Sequence, residues 1–310
     1  MRAPVLRDVA VPRREQQPRG HGPRPGPPPR RQPPQRPRPL SAAAFGPIAE
    51  DLARDTRAVT QFGKQQDWRS ALRVLHSARH FDTVLCTATI SACGRGAQWR
   101  HALALLEDMA FHGLEPTCIT YSAAASACAR DGQWLLAVGL LGQMASAGLQ
   151  PDVIAYSAGV SACERAGAWQ RALGLLEEMD EGRLELDVIL CNAAISACEK
   201  GERWEAALAL LDSMHDRGLH PDVVSCSAGV SACGRGGRWD LALWLLRDME
   251  RSGAAAPNVV AYSAGISACE AGRRWDWALW LLEAMQLRGV RPNVVACNAA
   301  VSACEKGGQW

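Results

Sequence analysis

No run of 18 apolar residues occurs in this 310-residue chain, and no secretory apolar core opens it. Neither a membrane-spanning helix nor export is indicated. Equally absent are a phosphate-cradling glycine loop, an aspartate cluster able to hold catalytic metal ions, and the His-x-Glu with Pro-Cys-x-x-Cys of zinc deaminases, so intrinsic catalysis is not expected. The twelve cysteines include no Cys-x-x-Cys pair. Seven of them (Cys93, Cys128, Cys163, Cys198, Cys233, Cys269, Cys304) stand in a repeated Ser-Ala-Cys triplet. Cys86, Cys191, Cys226 and Cys297 lie seven residues earlier, where other copies carry Tyr121, Tyr156 and Tyr262. Cysteines seven apart on a helix share a face but sit about 10 Å apart along the axis, too far to chelate one ion. They read as packing residues and as free thiols of a reducing compartment, with no metal or other cofactor.

Tryptophan, by contrast, is abundant. Trp68, Trp99, Trp134, Trp169, Trp204, Trp239, Trp275 and Trp310 stand 31, 35, 35, 35, 35, 36 and 35 residues apart, so one structural unit is copied along the chain. A unit of this size holds two short helices, which cannot bury their apolar faces alone and must stack on neighbours. The expected fold is an all-α solenoid.

With the Trp as position 17, the copies run 52–82, 83–117, 118–152, 153–187, 188–222, 223–258 and 259–293, and a half copy occupies 294–310. Apolar residues at positions 4, 8 and 11, such as Tyr156, Val160 and Cys163, trace one face of a first helix, A. Glycine at position 14 or 15 suits a left-handed residue closing that helix. Helix B begins at the Trp and carries its apolar face through Ala172, Leu173, Leu176 and Met179, with a small alanine at position 20 that lets the two helices approach. Gly at position 31 and Pro before Asp or Asn end the unit. The first copy is about four residues short and the sixth one long, its extra residue lying in Ala254-Ala255-Ala256.

Ahead of the repeats lies a segment of different composition, residues 1–46. Thirteen of the 18 prolines fall at or before Pro47, and ten arginines there oppose only Asp8 and Glu15. Such a segment cannot form a core and is expected to be a disordered, basic arm. An organelle-targeting presequence is the other reading: the segment is Arg-rich and acid-poor, although its prolines forbid a long amphipathic helix and serine is sparse.

The 35-residue period, a Val-Val/Ile-x-Tyr/Cys-Ser/Asn opening, Ala-Leu in helix B, Met at position 27 and a closing Pro-Asp/Asn together resemble the pentatricopeptide repeat over residues 52–310. Tetratricopeptide repeats run 34 residues and open with Trp-x-x-Leu-Gly-x-x-Tyr, which helix A lacks. The resemblance implies a right-handed α-solenoid of stacked helix-turn-helix repeats that binds single-stranded RNA, one base per repeat. At position 2 it implies aliphatic wedges between bases: Val84, Ile119, Ile154, Ile189, Val224, Val260 and Val295. At position 5 and the last position it implies base-reading pairs: Thr87 with Thr117, Ser122 with Asp152, Ser157 with Asp187, Asn192 with Asp222, Ser227 with Asn258 and Ser263 with Asn293. In the family's usage the last five read 5′-GGUAA-3′. Thr87 with Thr117 has no assigned base, Thr56 with Asp82 lies in the short first copy, and Asn298 lacks a partner. Basic residues at position 13 (Lys64, Arg95, Arg130, Arg165, Lys200, Arg235, Lys306) would lie near phosphates. The role implied is organellar RNA processing, stability or translation, in plastids or mitochondria with plastids ahead, and no membrane.

Each of these assignments has a plainer counterpart. Ser, Asn and Asp at these places are ordinary helix caps, and cations at position 13 suit the C-terminus of helix A. Beyond residue 50, 24 basic side chains face 29 acidic ones, a formal net of −5 that gives weak general attraction for phosphate. A protein-binding scaffold is therefore the alternative. Trp244, Trp277 and Trp280, which break the repeat pattern, are either extra packing or the docking patch for such a partner. At the end of the chain Val301 and Cys304 would be left exposed, so either the natural protein continues or residues 294–310 fray.

Overall fold

The computed structural model describes residues 46–78, 81–252 and 256–309. The expectations for the Pro/Arg-rich segment up to residue 45, for Ala254 and Ala255, and for Trp310 lie outside the described residues. Among those described, there are fifteen α-helices and no strand. The A helices are α1 (Gly46–Lys64), α3 (Thr83–Arg95), α5 (Cys118–Arg130), α7 (Val153–Ala166), α9 (Val188–Lys200), α11 (Val223–Arg235), α13 (Val259–Ala271) and α15 (Val294–Lys306). Alternating with them are the B helices α2 (Trp68–Ser77), α4 (Trp99–Phe111), α6 (Trp134–Ser146), α8 (Trp169–Glu181), α10 (Trp204–Asp216), α12 (Trp239–Ser252) and α14 (Trp275–Leu287). The first A helix departs from expectation: α1 starts at Gly46 rather than near residue 52 and runs 19 residues.

Every A helix packs closely against the A helices before and after it and against its flanking B helices, whereas the backbones of the described B helices stay apart and meet only through side chains, such as Trp68 with His101 and Arg247 with Trp277. The A layer is thus continuous and the B layer is splayed, which is an α-solenoid with the A helices on its inner side. The alanine at position 20 (Ala71, Ala102, Ala137, Ala172, Ala207, Ala242, Ala278) is fully buried, as are Met109, Met144, Met179, Met214 and Met285 at position 27. All twelve cysteines are free. Burial pushes the thiols of Cys93, Cys128, Cys163, Cys198 and Cys233 up to about 11 and that of Cys269 to about 12, so they stay protonated and act as small apolar side chains. Val301 on α15 is exposed, and Cys304 is half-buried.

At the end of helix A, Gly132, Gly167, Gly237 and Gly308 at position 15 take the expected left-handed conformation, with φ of 68–70°, whereas the glycines at position 14 serve a different purpose. Gly96, Gly201, Gly236, Gly272 and Gly307, at position 14, have φ between −84° and −75°. Their need for glycine is steric. A Cβ on Gly236 would stand 2.2 Å from Cδ1 of Trp204, and one on Gly201 2.3 Å from Cδ1 of Trp169. The repeated Trp of one repeat therefore lies against the position-14 backbone of the next. At three junctions an arginine from position 16 covers the ring: Arg203 on Trp169, Arg238 on Trp204 and Arg274 on Trp239, with 4.3–4.8 Å from guanidinium carbon to ring centre. Such cation–π contacts contribute about 0.5–1 kcal/mol each at exposed sites. The left-handed residue sits one place later, at position 15, and there Ala97, Glu202 and Arg273 adopt φ of 54–57° without being glycine.

This geometry separates two kinds of glycine. Gly236→Ala is expected to lower stability by about 1–3 kcal/mol through overpacking, and most of that cost should vanish in a Trp204→Ala background when the pair is measured as a denaturant-melting double-mutant cycle. Gly142→Ala on α6, where a Cβ meets nothing within 4 Å, should instead raise stability by up to about 1 kcal/mol. An equal loss for Gly236→Ala in both backgrounds would refute the Trp contact as its cause.

Candidate functional site

Positions 2, 5, 9 and 13 of helix A fall at helical spacing and form a strip that recurs in every repeat. Position 2 supplies Val84, Ile119, Ile154, Ile189, Val224, Val260 and Val295, and each of these is 57–75 % exposed. Neighbouring strips bound concave slots. One slot, of about 290 Å³, lies between Ile119 and Ile154 and is lined by Ser122, Ser126, Arg95, Arg130 and Asp152. The corresponding slot between Val260 and Val295 measures about 630 Å³ and is lined by Ser263, Ser267, Asn293, Arg235 and Glu199. Sequence reasoning overlooked position 9. The serine of each Ser-Ala-Cys triplet (Ser91, Ser126, Ser161, Ser196, Ser231, Ser267, Ser302) is half-buried, while the alanine and most of the cysteines beside it face the core.

The paired polar positions meet at the junction between repeats. The last residue of each repeat is the N-cap of the next A helix: Asp152 Oδ1 accepts from the Ala155 N–H at 2.8 Å, Asp187 Oδ1 from Leu190 at 2.7 Å, Asn258 Oδ1 from Val260 at 2.9 Å and Ala261 at 3.0 Å, and Asn293 Oδ1 from Ala296 at 2.8 Å. Asp222 Oδ1 accepts from both Val224 and Ser225, and Thr117 forms a capping box with Thr120. Plain capping is thus present at every one of these residues, but it occupies one end of the side chain. The remaining end is a carboxylate oxygen in Asp and an N–H pair in Asn. Position 5 stands beside the capping oxygen itself, and Asn192 alone also reaches the second oxygen. Ser122 Oγ is 3.2 Å from Asp152 Oδ1, Asn192 Nδ2 is 3.2 and 3.4 Å from the two Asp222 oxygens, and Ser263 Oγ is 3.2 Å from Asn293 Oδ1. No hydrogen bond joins Ser157 to Asp187 or Ser227 to Asn258. Thr87 bonds instead to Thr120, and Asn298 is exposed.

The serines at position 5 are more enclosed than expected: Ser122, Ser227 and Ser263 are largely buried and donate to the carbonyl four residues back, at 2.7, 2.5 and 2.6 Å. Their hydroxyl protons are spent inside the protein, and what Ser122 and Ser263 offer the slots they line is an acceptor. Burial raises the Asp222 carboxyl, but hydrogen bonds from Ser225, Asn192 and Val224 outweigh it and hold that group below the usual range, so it is ionised at neutral pH.

The position-13 cations divide into two groups. Lys200, Arg235 and Lys306 pair with Glu164, Glu199 and Glu270 at position 12 of the preceding repeat, at 3.4, 3.6 and 2.8 Å. Arg95, Arg130 and Arg165 follow Gly63, Gly94 and Ala129, which hold no charge; Arg165 reaches the Arg130 carbonyl at 2.8 Å and Arg130 the Arg95 carbonyl at 3.4 Å. The capping role for position 13 is therefore realised in the earlier repeats and ion pairing in the later ones. On the B layer, Trp277 and Trp280 meet edge to face at 5.6 Å with Arg247 over both rings. Trp277 packs against the core and Trp280 on Trp277, so packing between repeats accounts for part of this cluster, while Trp244 and Trp280 remain 57 % and 43 % exposed. Among the described residues no helix is long and apolar enough to cross a membrane, and no group of three or more His, Cys, Asp or Glu could hold a metal ion.

Comparison with known proteins places this arrangement. The model of the pentatricopeptide repeat domain matches residues 139–201, 174–236 and 209–271, and the PPR repeat model matches 84–114 and 119–149, together more than half of the chain. No curated protein matches it. Among solved structures, it is similar to the pentatricopeptide repeat protein PPR10 from maize, with a TM-score of 0.53 and 22 % identity over 86 % of this chain and 49 % of that one, so the chain spans about half the length of the maize protein. It is also similar to the PPR domain of protein-only RNase P 1 from Arabidopsis thaliana, solved with tRNA, with a TM-score of 0.50 and 15 % identity over 58 % of this chain and 95 % of that domain. The repeat models, the stacked A and B helices and the shared fold lead to one conclusion: the chain belongs to the pentatricopeptide repeat family.

Proposed function

We propose that the groove along the A helices binds single-stranded RNA, one nucleotide per repeat, with the repeats from 118 to 293 reading 5′-GGUAA-3′. The observation that carries this reading is the row of seven exposed aliphatic side chains at position 2, alternating with paired polar side chains on one face of the array. Exposed Val and Ile at one repeat position contribute nothing to the core; apolar surfaces separated by hydrogen-bonding slots suit unstacked bases. The related PPR domain of protein-only RNase P 1 was crystallised with tRNA.

The hydrogen-bonding pattern supports the same order of bases. Ser and Asp present two acceptors, which match the adjacent N1–H and N2–H donors of guanine. Ser and Asn present an acceptor and a donor, which match the N6–H and N1 of adenine. Asn and Asp present a donor and an acceptor, which match a carbonyl oxygen and N3–H of uracil. We further propose that the protein acts by covering or remodelling its site in a plastid or mitochondrial transcript, in processing, stability or translation, and is not itself an enzyme. The exposed Trp244 and Trp280 with Trp277 favour a second, separate contact with a protein on the B layer; a Trp244→Ala, Trp280→Ala variant should then lose that partner and keep RNA affinity.

Two measurements test the RNA reading. The chain should bind an oligomer containing GGUAA more tightly than its scrambled version, and Asn192→Ser should move the preference at one base from U toward G by about tenfold, within the range of a paired base contact. An unchanged base profile for Asn192→Ser would contradict position-specific reading. Removing an unpaired cation, as in Arg165→Ala, should weaken all sequences alike and reduce the salt slope by about 0.7. Lys306→Ala should do less, because Lys306 is shared with Glu270.

A further inference from the structure

In the first repeat position 3 of helix A is the exposed Arg54. From the second repeat onward it is buried in the A layer and touches no ligand surface, yet in two of these repeats it is polar. Thr120 and Ser225 stand there, fully buried, where the other copies carry Leu85, Ala155, Leu190, Ala261 and Ala296. Each reaches across the junction to position 5 of the preceding repeat: Thr120 Oγ1 lies 2.8 Å from Thr87 Oγ1, and Ser225 Oγ 2.5 Å from Asn192 Oδ1. Where position 3 is alanine, or leucine at Leu190, the preceding position 5 is a serine; only the short first repeat, with Thr56 before Leu85, falls outside this pattern. The difference has a physical reason. Ser122, Ser227 and Ser263 orient themselves by bonding the carbonyl four residues back. Thr87 makes the same bond, to the Thr83 carbonyl at 2.7 Å, so Thr120 only adds to an orientation already set. Asn192 makes no such bond, and its amide presents either an oxygen or an N–H from nearly the same shape, exchanged by a half turn.

We infer that Ser225 determines which face of the Asn192 amide meets the RNA, and so is a third specificity-determining residue of the repeat 188–222. This rests on the base-reading proposal above. The protons can be assigned from the geometry. Asp222 is a carboxylate and only accepts, so the amide nitrogen of Asn192 turns to it and the amide oxygen turns to Ser225. The Ser225 oxygen accepts the Asp222 N–H at 3.1 Å, and its own proton has two candidate acceptors, Asn192 Oδ1 at 2.5 Å and Asp222 Oδ1 at 3.0 Å. Asp222 Oδ1 already receives two backbone N–H groups, so the proton goes to Asn192. The amide oxygen is thereby occupied by a buried donor, and an N–H beside a carboxylate faces the groove. That order suits a carbonyl next to N3–H, as in uracil. Cytosine presents the reverse, an amine next to a bare nitrogen, and suits an amide turned the other way.

Ser225 is thus a positioning residue, and its effect should appear in the ratio of U to C binding rather than in affinity as such. The full chain is titrated with GGUAA oligomers that carry U or C at the third base. Wild type is expected to favour U; Ser225→Ala should shrink the U-to-C ratio about three- to tenfold, the range of one neutral hydrogen bond, with unchanged preference at the flanking G and A. Ser225→Thr should restore the ratio. A transfer provides the independent arm: Ser122→Asn with Ala155→Ser should favour U over C more strongly than Ser122→Asn alone. A Ser225→Ala ratio equal to wild type, or no gain from Ala155→Ser, overturns the inference. Should Ser225→Ala melt early, the transfer pair decides. A wild-type chain indifferent to U and C would instead overturn the base reading on which the inference stands.

Discussion

The organisation of this chain depends on one hydrogen bond repeated at each junction, from the N–H early in helix A to the Asp, Asn or Thr that precedes it. The bond terminates the unsatisfied N-terminus of a helix, an ordinary requirement worth about 1 kcal/mol. It also holds the capping side chain at a set angle, with one oxygen on the backbone and beside position 5 of the repeat before, and the other end left over. In Asp152 the end that remains is an acceptor, and in Asn293 it is a donor. Stability and specificity are therefore carried by the same atoms. Replacing Asp by Asn at this position keeps the cap and inverts what the groove is offered.

Register along the array has a separate source. The Trp that opens helix B lies on the bare backbone of position 14 in the next repeat, and an arginine covers it at three junctions. These contacts lie at repeat junctions on the helix-B side, whereas the slots are formed by helix A, so the groove surface is left for other uses. Charge follows a local rule as well. A glutamate at position 12 neutralises the cation at position 13 of the following repeat, and its absence in the first three repeats leaves Arg95, Arg130 and Arg165 without an acidic partner. An array that is acidic by formal count thereby keeps a basic strip over its earlier repeats.

Much of this was legible in the amino-acid sequence because a period is a strong signal. The spacing of Trp68 to Trp275 and the alanine at position 20 pointed to two helices per unit before any geometry, and the pairing of Ser122 with Asp152 across 30 residues followed from resemblance. What escaped was the steric meaning of glycine. Gly201 and Gly236 look like helix-closing residues in a string of letters, and only the placement of Trp169 and Trp204 shows that space, not φ, demands them. Position 9 was hidden for a similar reason: in Ser-Ala-Cys the cysteine drew attention to packing, whereas the serine, two residues away on the helix, turns to the groove. Ser225 was invisible altogether, since its significance lies in a partner 33 residues earlier. The long α1 also went unrecognised, because no repeat pattern extends over its first turn.

The central claim is that successive A-helix slots read successive bases through the cap and its neighbour. Selection of a randomised RNA pool by the purified chain tests it most directly. Enrichment of a contiguous five-base motif, with two guanines, one uracil and two adenines in that order, is the predicted result. A pool that emerges without a motif, or with one whose composition bears no relation to the Asp and Asn order along the array, would contradict it.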